Sequence, residues 1–182
     1  MAPPPVEFLA TSGGLFRDCS VHDFDILRWL TGGEVEEVYA TGSVRHFDFF
    51  ATHGDVDTSA ALMRMKDGVL AVLTGGRHDP LGYDVRAEVF GSKDSVAVGV
   101  DRRTPLRSVE PGIPSPEKGA YPNFQERFLD AYRSEMERFL SLVRGEGDNP
   151  CTATDALEAL RIAMAADLSL AEHRPVSPSE VG

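Results

Sequence analysis

Two short segments with loosely alternating side chains, 58–65 and 69–74, most constrain how this 182-residue chain can fold. Only the turn Lys66-Asp67-Gly68 separates them. Side chains of a strand alternate between two faces, and Asp-Gly is typical of a type I′ turn between antiparallel strands. The sequence therefore predicts a β-hairpin here. Similar patterns predict further strands at 35–44, 85–90 and 95–100, the last two forming a second hairpin.

Helical spacing of apolar residues predicts three helices, at 13–31, 123–144 and 154–173. Between the strands and the closing helices, residues 102–122 contain five prolines, which predicts a long loop. A helix, several antiparallel strands and then more helices are typical of an α+β fold. We therefore expect a mostly antiparallel open sheet with helices packed on one face.

A sheet that is covered on one side leaves its other face open to water. Leu62, Leu70, Val72 and Val89 are apolar residues of the predicted strands that need a partner on such a face. We expect a second copy of the chain to cover it, giving a homodimer or a homotetramer.

Composition limits the classes of partner. The chain has 18 basic and 29 acidic residues and a net charge of −11, which disfavours nucleic acid and anionic lipid as partners. It contains no apolar run of membrane-spanning length and no signal peptide, which predicts a cytoplasmic protein. Its length most simply fits one domain, expected at 13–182 after a flexible N-terminal lead-in at 1–12.

The helix at 13–31 carries the pattern with the clearest chemical meaning. Asp18 and His22 are four residues apart, so an α-helix places them on one face. A carboxylate and an imidazole held together bind a polar substrate and move its protons, and imidazole titrates near neutral pH. Taken alone, the same pair also fits a solvated helix surface. The predicted buried stripe of this helix is Leu15, Cys19, Ile26 and Leu30.

Two runs carry a resemblance to a known family. The first is Gly13-Gly14-Leu15-Phe16-Arg17-Asp18-Cys19-Ser20-Val21-His22-Asp23-Phe24-Asp25 with Trp29-Leu30-Thr31-Gly32, and the second is Gly82-Tyr83-Asp84-Val85-Arg86-Ala87-Glu88-Val89-Phe90-Gly91-Ser92. The chain resembles the glucose–fructose oxidoreductase and inositol dehydrogenase family, above all its inositol 2-dehydrogenase branch. The resemblance implies the C-terminal, substrate-binding and oligomerisation domain of a two-domain NAD(P)-dependent dehydrogenase acting on a polyol or sugar, which associates through its open sheet face.

The resemblance also implies roles for single residues. Asp18 and His22 would be catalytic and face the substrate, and Tyr83 would contact substrate hydroxyls. We assign Cys19 to the same substrate-binding surface as a small residue packed under the site, in preference to a nucleophilic thiol. Asp25 either orients the imidazole or is a solvated carboxylate, which is favoured. Residues 77–79 either shape the cleft or form a plain surface loop, which is again favoured.

The chain departs from the family in its cofactor half. Too few residues precede the Asp18 helix for a Rossmann domain, and the family's catalytic lysine is absent, since Lys66, Lys93 and Lys118 lie in other contexts. The nearest dinucleotide-binding pattern, 145–150, lacks the third glycine and follows a helix. We therefore expect this chain alone to bind no NAD(P) and to be inactive in redox turnover, although the complete enzyme would use that cofactor.

Other kinds of site are disfavoured. The chain has two cysteines, Cys19 and Cys151, which make neither a disulfide framework nor a metal motif. Residues 46–57 are rich in histidine and aspartate, but solvated charge is favoured there over a bound metal. Two functions remain open: the substrate half of a polyol or sugar dehydrogenase, or a noncatalytic binding or dimerisation module that retains the fold. Intact chemistry at Asp18 and His22 favours the first.

Overall fold

The computed structural model describes residues 3–113 and 119–182, in which two compact units are formed by residues 79–148 and by residues 3–78 with 149–182. In chain order the elements are α1 (Val6–Ser12), a π-helical turn (Phe16–Ser20), α2 (Val21–Thr31), β1 (Val35–Ser43), α3 (Phe49–Thr52), β2 (Thr58–Met65), β3 (Leu70–Gly76), β4 (Ala87–Phe90), β5 (Ser95–Val98), α4 (Phe124–Arg127), α5 (Leu129–Val143), α6 (Ala153–Glu172) and a 3₁₀ turn (Pro178–Glu180). The α+β class is confirmed.

The unit formed by residues 3–78 and 149–182 is built on a three-stranded antiparallel sheet in the order β1-β2-β3. The predicted hairpin is confirmed, but its type I′ turn is wrong. The amide of Gly68 donates to the carbonyl of Met65 at 2.9 Å, and of the turn residues only Gly68 has positive φ, at 91°. This is a three-residue loop, Lys66-Asp67-Gly68, in which glycine takes the left-handed position because a residue with a Cβ atom would be strained there.

One face of this sheet packs against helices. The buried cluster joins sheet residues to α6 and to the segment that leads into α2, and includes Phe16, Phe24, Val38, Met63, Met65, Ile162, Ala163, Ala166 and Val176. The small alanines of α6 let its backbone approach the sheet closely. α6 is capped by Thr152, two residues before the predicted start, and the Thr152 side chain forms a capping box with Asp155.

The other face of the same sheet is exposed and apolar. Tyr39 pairs with Leu62, which pairs with Val72, so the three side chains form a row across all three strands. Their exposed fractions are 41%, 50% and 74%, and Leu70 is also exposed at 68%. The prediction of a sheet with one open apolar face is therefore confirmed for this unit.

The second unit contains the other predicted hairpin, β4–β5, so the described strands lie in two sheets instead of one. The long predicted loop is confirmed within residues 99–113 and 119–123, which contain no helix or strand; Pro114 and Pro116 lie outside the described residues. The predicted helix at 123–144 divides into α4 and α5 at Phe128. No residue of either helix is buried.

Two further findings concern the helices. The expected lead-in contains α1, whose Leu9 is buried. In the part of the chain that the structure describes, every helix is too short or too polar to cross a membrane.

Candidate functional site

The segment that carries Asp18 and His22 begins with two glycines in the left-handed region, Gly13 with φ 81° and Gly14 with φ 91°. Residues with a Cβ atom rarely adopt this backbone, so the glycines allow α1 to end and a new helix to begin. The Oδ1 atom of Asp55 accepts a hydrogen bond from the Leu15 amide at 3.0 Å, which satisfies a donor of the first helical turn. The new helix ends at Gly32, as predicted from the sequence.

Asp18 and Cys19 lie in a π-helical turn, Phe16–Ser20, which an α-helical pattern did not predict. Such a turn closes i→i+5 hydrogen bonds and often occurs at functional sites. Its extra residue changes the face on which later residues lie. The prediction that Ile26 and Leu30 are buried is therefore wrong, since they are 47% and 44% exposed. The inward side chains are Leu15, Phe16, Ser20 and Phe24.

The carboxylate of Asp18 is held by Arg77, which follows β3. Nη1 of Arg77 donates to Oδ2 of Asp18 and lies 3.0 Å from Sγ of Cys19. The Arg77 side chain is only 7% exposed, so the favoured interpretation of this residue as part of a surface loop is wrong. A basic residue directly after an apolar strand that ends in Gly-Gly was the signal in the sequence.

Cys19 takes part in the same cluster as a neutral thiol. The pKa of the thiol is raised to about 11, mainly because the thiol is buried. The charge of Arg77 lowers this pKa, and the charge of Asp18 raises it. The thiol lies 3.7 Å from Oδ2 of Asp18. At neutral pH it is protonated, which disfavours a nucleophilic role and agrees with a residue that packs beside the Asp18 carboxylate. Its contact with a substrate stays a prediction.

His22 lies in the first turn of α2 with an exposed side chain. It interacts electrostatically with Asp23, the next residue along the helix. Loss of water raises the pKa of the Asp23 carboxyl, and the charge of His22 lowers it. The imidazole is open to solvent on the same segment as Asp18. The catalytic roles of both residues stay predictions.

Tyr83 belongs to the other unit. Its amide donates to the carbonyl of Tyr121 at 2.7 Å, and its ring lies 6.4 Å from the ring of Phe124 and 6.1 Å from that of Phe128. Beside it, Nε of Arg86 lies 2.9 Å from Oδ1 of Asp84. Asp18, Cys19 and His22 lie in the unit formed by residues 3–78 and 149–182, so the assignment of Tyr83 to their site also stays a prediction.

Asp57 is a buried carboxylate at the end of the histidine- and aspartate-rich segment 46–57, for which solvated charge was expected. Instead it accepts hydrogen bonds from the amides of Arg45, His46 and Phe47 at 2.7–2.9 Å and from the Thr58 hydroxyl at 2.9 Å. Burial alone would raise its pKa, but these donors outweigh burial and lower it to about 2. Across residues 3–113 and 119–182, no cluster of three or more His, Cys, Asp or Glu side chains is placed to hold a metal ion.

A concave region lies elsewhere, at the C-terminal end of α2, where a groove of about 490 Å³ is lined in part by Trp29 and Cys151. Its buried Arg28 is paired with three carboxylates: Glu34 at 2.7 Å, Asp155 at 3.5 Å and Asp25 at 3.9 Å. The hydrogen bond with Glu34 raises the pKa of Arg28 above its ordinary value. Asp25 therefore belongs to this network, and the charge of Arg28 is already neutralised. We place the candidate site at the Asp18 cluster.

Sequence comparison relates the chain to known proteins. Residues 2–97 match the profile of the GFO/IDH/MocA C-terminal domain. The chain is 41% identical over 175 residues to an uncharacterized oxidoreductase of Bacillus subtilis, covering 96% of this chain and 51% of that protein. It is 38% identical over 180 residues to the myo-inositol 2-dehydrogenase of Thermotoga maritima, covering 99% and 54%. It therefore spans about half the length of these relatives.

Solved structures show the same relationship. The fold is similar to that of a probable dehydrogenase from Thermotoga maritima, with a TM-score of 0.87 and 38% identity over 99% of this chain and 54% of that chain. It is also similar to a scyllo-inositol dehydrogenase from Lactobacillus casei with bound NAD(H) and scyllo-inositol, with a TM-score of 0.81 and 35% identity over 96% and 52%. Both solved chains extend well beyond the region matched here.

Proposed function

Because the chain belongs to the GFO/IDH/MocA family, whose C-terminal domain it matches, we propose that it is the substrate-binding half of an NAD(P)-dependent oxidoreductase acting on a polyol or sugar hydroxyl. Relatives named as inositol dehydrogenases make a cyclic polyol such as myo-inositol the proposed ligand. The observation that carries the proposal is the Asp18 carboxylate, held on one side by Arg77 and partly exposed at 24% on a segment that also exposes His22.

The proposed chemistry follows from these two side chains. The carboxylate of Asp18 accepts a hydrogen bond from a substrate hydroxyl and fixes its orientation. The imidazole of His22 removes the proton from the hydroxyl that is oxidised and returns it in the reverse direction. Tyr83 is the proposed additional contact to the polyol.

The described strands do not form the fold that binds a nicotinamide dinucleotide. Every strand pair is antiparallel, whereas a dinucleotide-binding fold is built on parallel strands. The glycine-containing segment 145–150 follows α5 and continues as a loop, as predicted. We assign no step of hydride transfer to residues of this chain.

The function is tested by titrating the 182-residue chain with myo-inositol in a calorimeter. We expect saturable binding, and Asp18→Asn should weaken it at least tenfold, because a hydrogen bond to a charged group contributes about 1.5–3 kcal/mol. Asp130→Asn is the control, since that carboxylate is 96% exposed on α5 and pairs with Arg133. Absence of binding at millimolar myo-inositol would contradict the proposal.

Titration with NAD provides the complementary result. We expect no stoichiometric site at micromolar concentrations, because the described part of the chain offers no parallel-stranded, glycine-rich phosphate cradle. A one-to-one micromolar site for NAD would show that this half of the enzyme binds cofactor by itself.

Self-association is the next expectation. The exposed row Tyr39–Leu62–Val72 is proposed to pack against a second copy, as a homodimer or homotetramer. Analytical ultracentrifugation should show a concentration-dependent rise in mass, and Leu62→Lys or Val72→Lys should shift the chain to monomer. Val109→Lys serves as the control, since Val109 is 97% exposed but belongs to the other unit, formed by residues 79–148. A monomer at high micromolar concentration would refute the assembly.

An assembled chain that binds no polyol would favour the noncatalytic module.

A further inference from the structure

Arg77 is a buried cation whose position is fixed by the backbone. Its amide donates to the carbonyl of Asp57 at 2.8 Å, directly beyond the last paired residues of β2 and β3. Asp57 in turn is anchored by the amides of residues 45–47. The start of the Arg77 side chain is therefore held by the edge of the sheet, while its guanidinium reaches the π-helical turn 59 residues earlier in the chain.

The guanidinium contacts the site through one nitrogen. Nη1 faces Oδ2 of Asp18 and Sγ of Cys19, whereas Nε and Nη2 are buried and have no hydrogen-bond partner among the described residues. Burial of unpaired donors costs free energy, so this buried position would be unfavourable for the Arg77 side chain if no other interaction compensated for it. The compensating interaction is the ion pair with Asp18, which is strengthened because water is largely excluded from Arg77.

The pair leaves the two oxygens of Asp18 in different states. Oδ2 is occupied by Arg77 and Cys19, and Oδ1 accepts no hydrogen bond from the described residues. Since the Asp18 side chain is 24% exposed, a free carboxylate oxygen is available to a hydroxyl donor. The charge of Arg77, in contrast, is shielded and already paired, so it offers no contact to an anionic ligand.

We propose that Arg77 is a positioning residue, which grips one oxygen of Asp18 and thereby presents the other to a hydroxyl group of a neutral polyol. The inference rests on the proposed function, since it specifies how Asp18 is held for that ligand. It also predicts discrimination: a sugar acid would place its carboxylate against Asp18 with no accessible cation, so glucuronate should not bind where myo-inositol does.

A double-mutant cycle on the 182-residue chain tests the role of Arg77. Arg77→Met, Asp18→Asn and the double variant are titrated with myo-inositol, and folding is checked by circular dichroism. We expect Arg77→Met to weaken binding about tenfold, and to add little when Asp18 is already replaced, because its effect acts through that carboxylate. Arg77→Lys keeps the charge without the planar fork and should restore part of the affinity. Arg161→Met, which removes a partner of Glu158, is the matched control.

The outcomes separate this inference from the function itself. The positioning role would be overturned if Arg77→Met lowered the affinity for myo-inositol equally in the wild-type chain and in Asp18→Asn. It would also be overturned if folded Arg77→Met bound myo-inositol with unchanged affinity. Either result would leave polyol binding itself intact. If the wild-type chain binds no myo-inositol, the proposed function fails, and urea unfolding of the same four proteins decides whether Arg77 holds Asp18. Additive shifts of the unfolding midpoint would overturn that pairing as well. If Arg77→Met does not fold, Arg77→Lys with and without Asp18→Asn supplies the cycle.

Discussion

Replacing His22 with alanine is expected to lower the turnover of a complete enzyme that carries this chain as its substrate half by about 10²–10⁴-fold, the usual contribution of a general base. The physical reason is that a hydroxyl proton must leave as the alcohol carbon is oxidised, and imidazole accepts protons near neutral pH. Because His22 is exposed on α2 and outside the buried core, the substitution should not unfold the domain.

The measurement is steady-state turnover of a chimera in which this chain replaces the matching half of the Thermotoga maritima relative. His53→Ala is the control, since its exposed ring makes its hydrogen bonds, within the described residues, to the Phe49 carbonyl and the Thr52 hydroxyl. Turnover of a folded His22→Ala chimera that equals the unsubstituted one at every pH would show that another group is the base. A higher KM with an unchanged kcat would make His22 a binding residue.

Replacing Asp57 with alanine is expected to lower the free energy of unfolding by about 3 kcal/mol, because amides of the 45–47 loop lose their acceptor in a buried position. The Arg77 amide bonds to the Asp57 backbone carbonyl, which the substitution retains. The lost stability should therefore come mainly from the 45–47 loop, and the bond between Arg77 and Asp57 should remain. Urea unfolding at pH 7 measures it, and Asp48→Asn, an exposed carboxylate of the same loop with no capping bond, is the control.

The same carboxylate predicts an acid limit. The pKa of Asp57 is lowered from 3.8 to about 2 in the folded chain, so its stabilisation is fully present above pH 4 and is lost as the pH falls through 2. The wild-type chain should therefore lose more stability between pH 4 and 2 than Asp57→Ala does. Parallel acid dependence of the two proteins would show that the Asp57 carboxylate is not held as described.

Features that depend on neighbouring residues were predictable. The hairpin β2–β3 follows from period-two alternation around a glycine turn, and Gly32 ends α2 because the left-handed position favours glycine. The open apolar face followed as well, since alternation alone assigns Leu62 and Val72 to the same side as their paired neighbours. The two-run motif that carries the family resemblance is likewise a local property of the sequence.

The candidate site shows where local patterns stop being informative. The four-residue spacing of Asp18 and His22 assumed an α-helix, but the π-helical turn changes the faces that surround them. Asp55 satisfies an amide 40 residues before it, and Asp57 closes a loop that begins 12 residues earlier. A carboxylate in a polar sequence is equally compatible with water, a metal or a backbone amide, so its partner depends on packing.

The sequence by itself determined the α+β class, the paired strands, the helix that bears Asp18 and His22, and the family relationship. Only the tertiary structure decided that Arg77 is buried against Asp18 and Cys19, because that contact joins segments 59 residues apart and is strengthened only when the folded sheet edge excludes water from the Arg77 guanidinium.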